Sequence, residues 1–163
     1  MEGLRVRAAT GADRAAITRM LVGSWGGTTI VGHGTVYDAA QLPGLVAERG
    51  GDVIGLLTYA VTGAGLEVVT LDAMVRRAGV GSALLAAAAE TARAAGARRL
   101  WLVTTNDNLD ALRFYQRRGL RLVGVSPGAV DTARTFKPSI PVTGEYGIPL
   151  HDELTLELRL PAR

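Results

Sequence analysis

The segment Arg76-Arg77-Ala78-Gly79-Val80-Gly81 stands between an apolar run, Leu66 to Met74, and an alanine-rich stretch, Ser82 to Ala95, that Gly96 ends. Strand, glycine turn and helix in this order restrict the chain to an α/β architecture, because so short a turn must fold the helix back onto the sheet. Glycine accepts the backbone angles that a tight turn demands, and alanine has the highest helix propensity. The same segment reads as a phosphate cradle. Its glycines let the backbone approach a ligand closely, and the free N–H groups opening the helix face an anion.

Hydrophobic periodicity fills in the rest. Leu4 to Ala8 alternates as a strand, and Thr10 or Asp13 caps a helix running to about Leu21. Residues 23–35 hold five glycines and are expected to form a loop. Leu45 to Glu48 and Val53 to Val61 read as strands joined by Gly50-Gly51-Asp52, and Leu66 to Met74 as the next. After the helix Ser82–Ala95 come a strand over Arg99–Thr105, a helix over Asn108–Arg118, and a strand over Leu120–Val125. Ser126 to Pro149 contains four prolines and one short helical stretch, Val130–Thr135, before a last strand over Glu153–Leu160. A single α/β domain spanning 1–163, with a mixed sheet and helices on both faces, follows from this order.

Composition narrows the function. No cysteine occurs, which excludes disulfides and thiolate metal sites. The net charge of +3 rests almost wholly on scattered arginines, Lys137 being the only lysine. Without a basic stripe interleaved with aromatics, nucleic acid is a poor partner. No apolar run is long enough for a membrane span, and Met1 to Arg5 lacks a signal-peptide core, so a cytoplasmic protein is expected.

The R-x-x-G-x-G of Arg76 to Gly81 and the N-x-x-A-x-x-x-Y of Asn108, Ala111 and Tyr115 each open a helix after a strand. Together they resemble the GNAT superfamily of acyl-CoA-dependent N-acetyltransferases. The resemblance covers residues 4 to 125, and the terminal strand matches the seventh of that fold. Gly119-Leu120 stands where the family more often has Gly-Phe. The resemblance implies a mostly antiparallel sheet of about seven strands with helices on both faces, and transfer of an acetyl group from acetyl-CoA to a primary amine. It implies a single catalytic domain without a metal, acting on a small-molecule or peptide amine, with a homodimer allowed. The acyl-CoA site would comprise Leu71, Ala73, Arg76, Arg77, Gly79, Val80, Gly81, Ser82, Asn108, Ala111 and Tyr115.

Tyr115 would protonate the departing thiolate, since a phenol with a pKa near ~10 stays protonated at neutral pH. The acceptor must lose a proton before it attacks, and Glu67, acting directly or through water, would take it. Asp72 lies on the opposite face of an ideal strand unless a bulge changes the parity. Asn108 caps its helix and would bond the pantetheine arm, with Asn106 competing for that task. Acceptor contacts would come from Trp25 to Tyr37 and from Ser126 to Pro149, with Trp25, His33 and Tyr146 foremost. His151 reads as a surface residue. A dinucleotide-binding fold fits less well, because Leu84 occupies the third glycine position of its motif. A non-catalytic acyl-CoA sensor is the remaining alternative.

Overall fold

The computed structural model describes residues 3–74 and 79–162. Of the sequence-derived site, Arg76 and Arg77 lie outside the described residues. Strand β1 (Leu4–Ala8) leads through a short turn into helix α1 (Arg14–Trp25), the hairpin β2 (Thr29–Gly32) and β3 (Thr35–Asp38), and strands β4 (Gly44–Arg49), β5 (Asp52–Thr62) and β6 (Gly65–Ala73). Helix α2 (Val80–Ala94), strand β7 (Arg99–Thr105), helix α3 (Leu109–Arg117), strand β8 (Arg121–Ser126), helix α4 (Ala129–Phe136) and strand β9 (Glu153–Arg159) complete the chain.

Seven strands form the central sheet in the order β1-β4-β5-β6-β7-β9-β8. Only the β6–β7 pair is parallel, as α2 requires for a crossover between them. One face buries Leu57, Leu66, Val68, Leu100, Leu102 and Leu156 against the Val80, Leu84, Leu85 and Ala88 side of α2. The other buries Val46 and Leu56 with Leu21 of α1, Ile30 and Ala39. Among the described residues no helix is long and apolar enough to cross a membrane.

Residues 23–35 correct the expectation of a loop. They carry the last turn of α1 and most of the hairpin, whose register runs from Thr29–Asp38 to Gly32–Thr35. The β-branched run Thr28-Thr29-Ile30-Val31 favours extended backbone. His33 and Gly34 then supply two consecutive left-handed residues, φ 41° and 77°, which a two-residue hairpin turn demands. The glycines punctuate strands here and do not dissolve them.

Two irregularities position the site. The β5–β6 register passes from Thr58–Thr70 to Tyr59–Val68, which makes Val69 an extra residue. This bulge changes the parity of β6, so Glu67, Thr70 and Asp72 share the α1 face. The β6–β7 ladder, meanwhile, contains only Leu66–Leu100 and Glu67–Trp101. It ends at Glu67.

The segment before β9 is braced by side chains. The Arg134 guanidinium donates to the carbonyls of Ile140, Pro141 and Leu150 at 3.1, 2.6 and 2.5 Å. Asn106 donates to the Pro149 carbonyl and accepts from the His151 and Asp152 N–H groups. Prolines cannot join a backbone ladder as donors, so arginine and asparagine satisfy this stretch in its place.

Candidate active site

Where the β6–β7 ladder ends, a cavity of about 110 Å³ opens between the sheet and the β2–β3 hairpin. Glu67 of β6 and Glu153 of β9 enter it, 4 % and 5 % exposed. Ile30, Val31 and Tyr37 of the hairpin cover it, and Val69, Thr104 and Asn108 line the sheet side. The Tyr37 hydroxyl donates to Glu67 Oε1 at 2.5 Å, and His33 Nε2 lies 2.8 Å from Glu67 Oε2. Opposite a carboxylate oxygen, Nε2 is assigned the proton, which leaves Nδ1 to face the Thr35 hydroxyl at 3.3 Å. The backbone N–H of His33 points at both oxygens of Glu153, at 3.0 and 3.3 Å. The hairpin tip is thus fastened to two buried carboxylates.

Their electrostatic effects are specific. Burial, then the bond to Glu67, pushes the Tyr37 phenol well above its ordinary pKa. Burial also raises the Glu153 carboxyl; the His33 N–H opposes this and the charge of Glu67 adds to it.

Tyr115 lies on α3, its ring edge-on to Phe114 at 5.3 Å. Burial, followed by the charge of Asp72, holds its phenol well above the usual range, so it remains protonated. Asp72 accepts from Trp25 Nε1 at 2.9 Å, and burial raises its carboxyl against the bonds from Trp25 and Ser24. Trp25 also lines the cavity, and therefore connects it to the Asp72–Tyr115 pair.

At the start of α2, Gly79 takes a left-handed φ of 77°. Among the described residues no side chain caps this helix, whose N-cap is a glycine and whose first N–H groups have no partner within the helix. Gly81 is glycine for a different reason: a Cβ there would lie 3.0 Å from the Phe114 ring. Its absence lets α3 close on α2. Ser82 accepts from Arg118 Nε at 2.6 Å, while the Arg118 guanidinium stacks 3.8 Å over Phe114. Arg118 therefore adds a cation beside the helix start. In the sequence it is one of many scattered arginines.

The other expected residues are distributed as follows. Val80 is 1 % exposed and Leu71 packs into the main core, so each offers a ligand only its main chain. Ala73 borders an open groove of about 890 Å³ that runs along α1 past Asp72 to Met74. Ala111 is partly buried on α3. Asn108 corrects one expectation, because its side chain does not cap α3; Nδ2 donates to Thr104 Oγ1 at 3.1 Å. Tyr146 stands apart from the cavity lining, 66 % exposed, its hydroxyl donating to Asp110 of α3 at 2.7 Å. His151 is exposed and pairs with Asp131 at 3.0 Å.

Sequence reasoning missed Glu153, and it held Tyr37 only as the end of the Trp25–Tyr37 acceptor segment and not as a partner of Glu67. Both depend on strands whose neighbours are distant in sequence, and only the register brings them to Glu67.

Comparison with known proteins agrees with this architecture. The model of the acetyltransferase (GNAT) family matches residues 18–120. The "Uncharacterized protein YdhI" of Bacillus subtilis is 37 % identical over 139 residues, covering 85 % of this chain and 87 % of its own. Among solved structures, the IAA acetyltransferase from Bacillus cereus superposes with a TM-score of 0.74 at 23 % identity, over 96 % of this chain and 99 % of its own. The putative acetyltransferase yncA from Salmonella typhimurium, solved with its cofactor acetyl-CoA, gives 0.71 at 20 % identity, over 99 % and 96 %.

Proposed function

This chain belongs to the GNAT family of acetyltransferases, and from that premise we propose that it moves an acetyl group from acetyl-CoA to a primary amine bound in the Glu67–Glu153 cavity. The observation that carries this reading is the position of the cavity: buried carboxylates meet Asn108 where the β6–β7 ladder ends.

The residues present fit the donor. The uncapped start of α2 offers N–H groups to its pyrophosphate, with Arg118 alongside. Beyond Glu67, the main chain of β6 has no ladder partner on its β7 side, which leaves peptide groups for an extended amide arm. Acetyl-CoA, when bound, supplies an activated thioester carbonyl and a sulfur leaving group.

An alkylamine with a pKa near ~10.4 is nearly all ammonium at neutral pH, so one proton must leave before its nitrogen can attack. The paired negative charges of the cavity draw the ammonium in, and a carboxylate accepts that proton directly or through water. The second proton leaves the nitrogen of the adduct to water, which restores the Tyr115 phenol after it has protonated the sulfur. Tyr115, kept protonated by burial and by Asp72, returns one to the sulfur. Trp25 lines the acceptor space and His33 holds its two carboxylates, whereas Tyr146 acts at most on the outer rim beside α3.

The test is thiol release from acetyl-CoA across a panel of primary amines, with product masses to confirm N-acetylation. Amine-dependent release is expected. Tight acetyl-CoA binding by calorimetry without release for any amine would replace the enzyme by a binding module.

A further inference from the structure

The two carboxylates of the cavity are not equivalent, and their difference assigns the base of the reaction read above, on which this inference rests. Glu67 has both oxygens engaged, Oε1 by the Tyr37 hydroxyl and Oε2 by His33 Nε2. These two donors fix its orientation, and each takes a lone-pair site of its own on the carboxylate. Glu153 enters the same cavity from the first residue of β9, just as deeply buried. Its two oxygens share one bifurcated donor, the His33 N–H. A carboxylate offers about four lone-pair sites, so Glu153 faces the cavity with acceptor capacity unused.

We propose that Glu153 is the general base that takes the acceptor's proton, while Glu67, clamped by Tyr37 and His33, orients the ammonium between the two carboxylates. One N–H bond of the ammonium breaks and one O–H bond forms on Glu153. The products are a neutral amine and a carboxylic acid, which returns its proton to water after the amide leaves.

The groups facing Glu153 favour this role. Glu67 approaches from β6, and His33 and Tyr37 from the hairpin; its register partners, Thr105 of β7 and Ser126 of β8, carry no charge. Burial and the charge of Glu67 both raise the Glu153 carboxyl, the direction in which a base working near neutrality must move.

Two measurements test the assignment. Carbon-13 titration of glutamate-labelled protein, without donor or acceptor, follows the carboxyl signal that Glu153→Gln removes; it is expected to titrate above the ordinary carboxylate range. Glutamine keeps an oxygen for the His33 N–H, so the hairpin contact survives. With the best amine of the panel, Glu153→Gln should lower thiol release at pH 7 by about 10²- to 10⁴-fold and leave acetyl-CoA affinity unchanged by calorimetry. Its rate should then climb about tenfold per pH unit up to roughly pH 9, as the amine loses its proton in solution. Glu67→Gln should instead raise the amine KM and keep a base-dependent pH profile, with its acid limb moved to lower pH because the charge that adds to burial in raising Glu153 is gone. A signal inside the ordinary range, or release within about threefold of wild type at pH 7, overturns Glu153 as the base. A wild-type protein that releases no thiol sinks the acetyl-transfer reading itself, and the base with it. An ordinary titration in a protein that does release thiol sinks the base alone.

Discussion

The start of α2 and the cavity under the hairpin are built by opposite means. At α2, one contiguous turn supplies a left-handed Gly79, uncapped N–H groups and a Gly81 that admits Phe114. What that turn would offer the proposed donor is main chain. The cavity instead takes side chains from β3, the hairpin turn, β6 and β9, and its longest contact, His33 to Glu153, spans 120 positions. Backbone geometry written in a few adjacent residues tolerates variation around it. A cavity assembled from segments far apart in sequence lets each one change what the cavity accepts. This contrast suits an enzyme in which one substrate is constant and the other varies.

The largest effect that bears on this contrast is catalytic. Tyr115→Phe keeps the ring against Phe114 and removes the acid, so kcat should fall by about 10²- to 10⁴-fold while acetyl-CoA affinity holds. Because its folded phenol lies above the ordinary range, the wild-type rate should show no loss from Tyr115 ionisation up to about pH 10. Unaltered turnover, where chemistry limits the rate, would make α3 a packing element only.

Gly81→Val separates ligand approach from helix packing. The new side chain must push into Phe114, and overpacking of this kind costs about 1–3 kcal/mol. Chemical denaturation should register that loss, and acetyl-CoA affinity should fall with it while the Glu153 carbon-13 titration stays in place. Wild-type affinity in the variant would move the donor site away from α2.

The complementary change is Gly34→Ala. A left-handed residue with a side chain costs about 1–2 kcal/mol, so the hairpin tip should loosen and the amine KM rise with acetyl-CoA affinity constant. Should donor affinity weaken equally, the two regions are coupled and the contrast fails.

The smallest effects are pH-dependent and opposite in sign. Arg7 grips Asp13 with two bonds of 2.8 Å and holds its carboxyl well below the unfolded value near ~3.9. That stabilisation is present above the unfolded pKa and is lost as pH falls. Asp13→Asn should therefore lower Tm most at neutral pH, with the gap closing in acid. Glu153 is raised, so its contribution is present in acid and lost as pH rises through the folded value. Glu153→Gln should gain on wild type in Tm as pH rises above the ordinary glutamate value, near ~4.3. Parallel Tm differences for both variants would remove the electrostatic distinction between a structural carboxylate and one held for use.

What the sequence reveals follows the same division. Strand and helix order, the mixed sheet and both motif helices were legible because each depends on local periodicity and adjacent turn residues. The hairpin was hidden because five glycines between 23 and 35 suggest a loop, and only pairing makes Thr29 to Asp38 extended. Glu153 was hidden because β9 inserts between β7 and β8, a placement that no local pattern encodes. Asn108 looked like a cap, as the residue type predicts, yet Thr104 takes its amide. Asp72 was resolvable only through the bulge, whose existence the sequence could raise but not locate.

That bulge makes β6 a strand in two phases. Val69 is the residue at which the alternation of faces slips, and everything on the Glu67 side is read out of step with everything on the Asp72 side. Substituting Val69 leaves the phase alone. Deleting it would turn one half of the strand inside out, sending either Glu67 or Asp72 toward the leucines beneath α2. The length of β6 therefore tolerates less change than its composition, and a lost codon there would do harm that no single exchange of side chains could match.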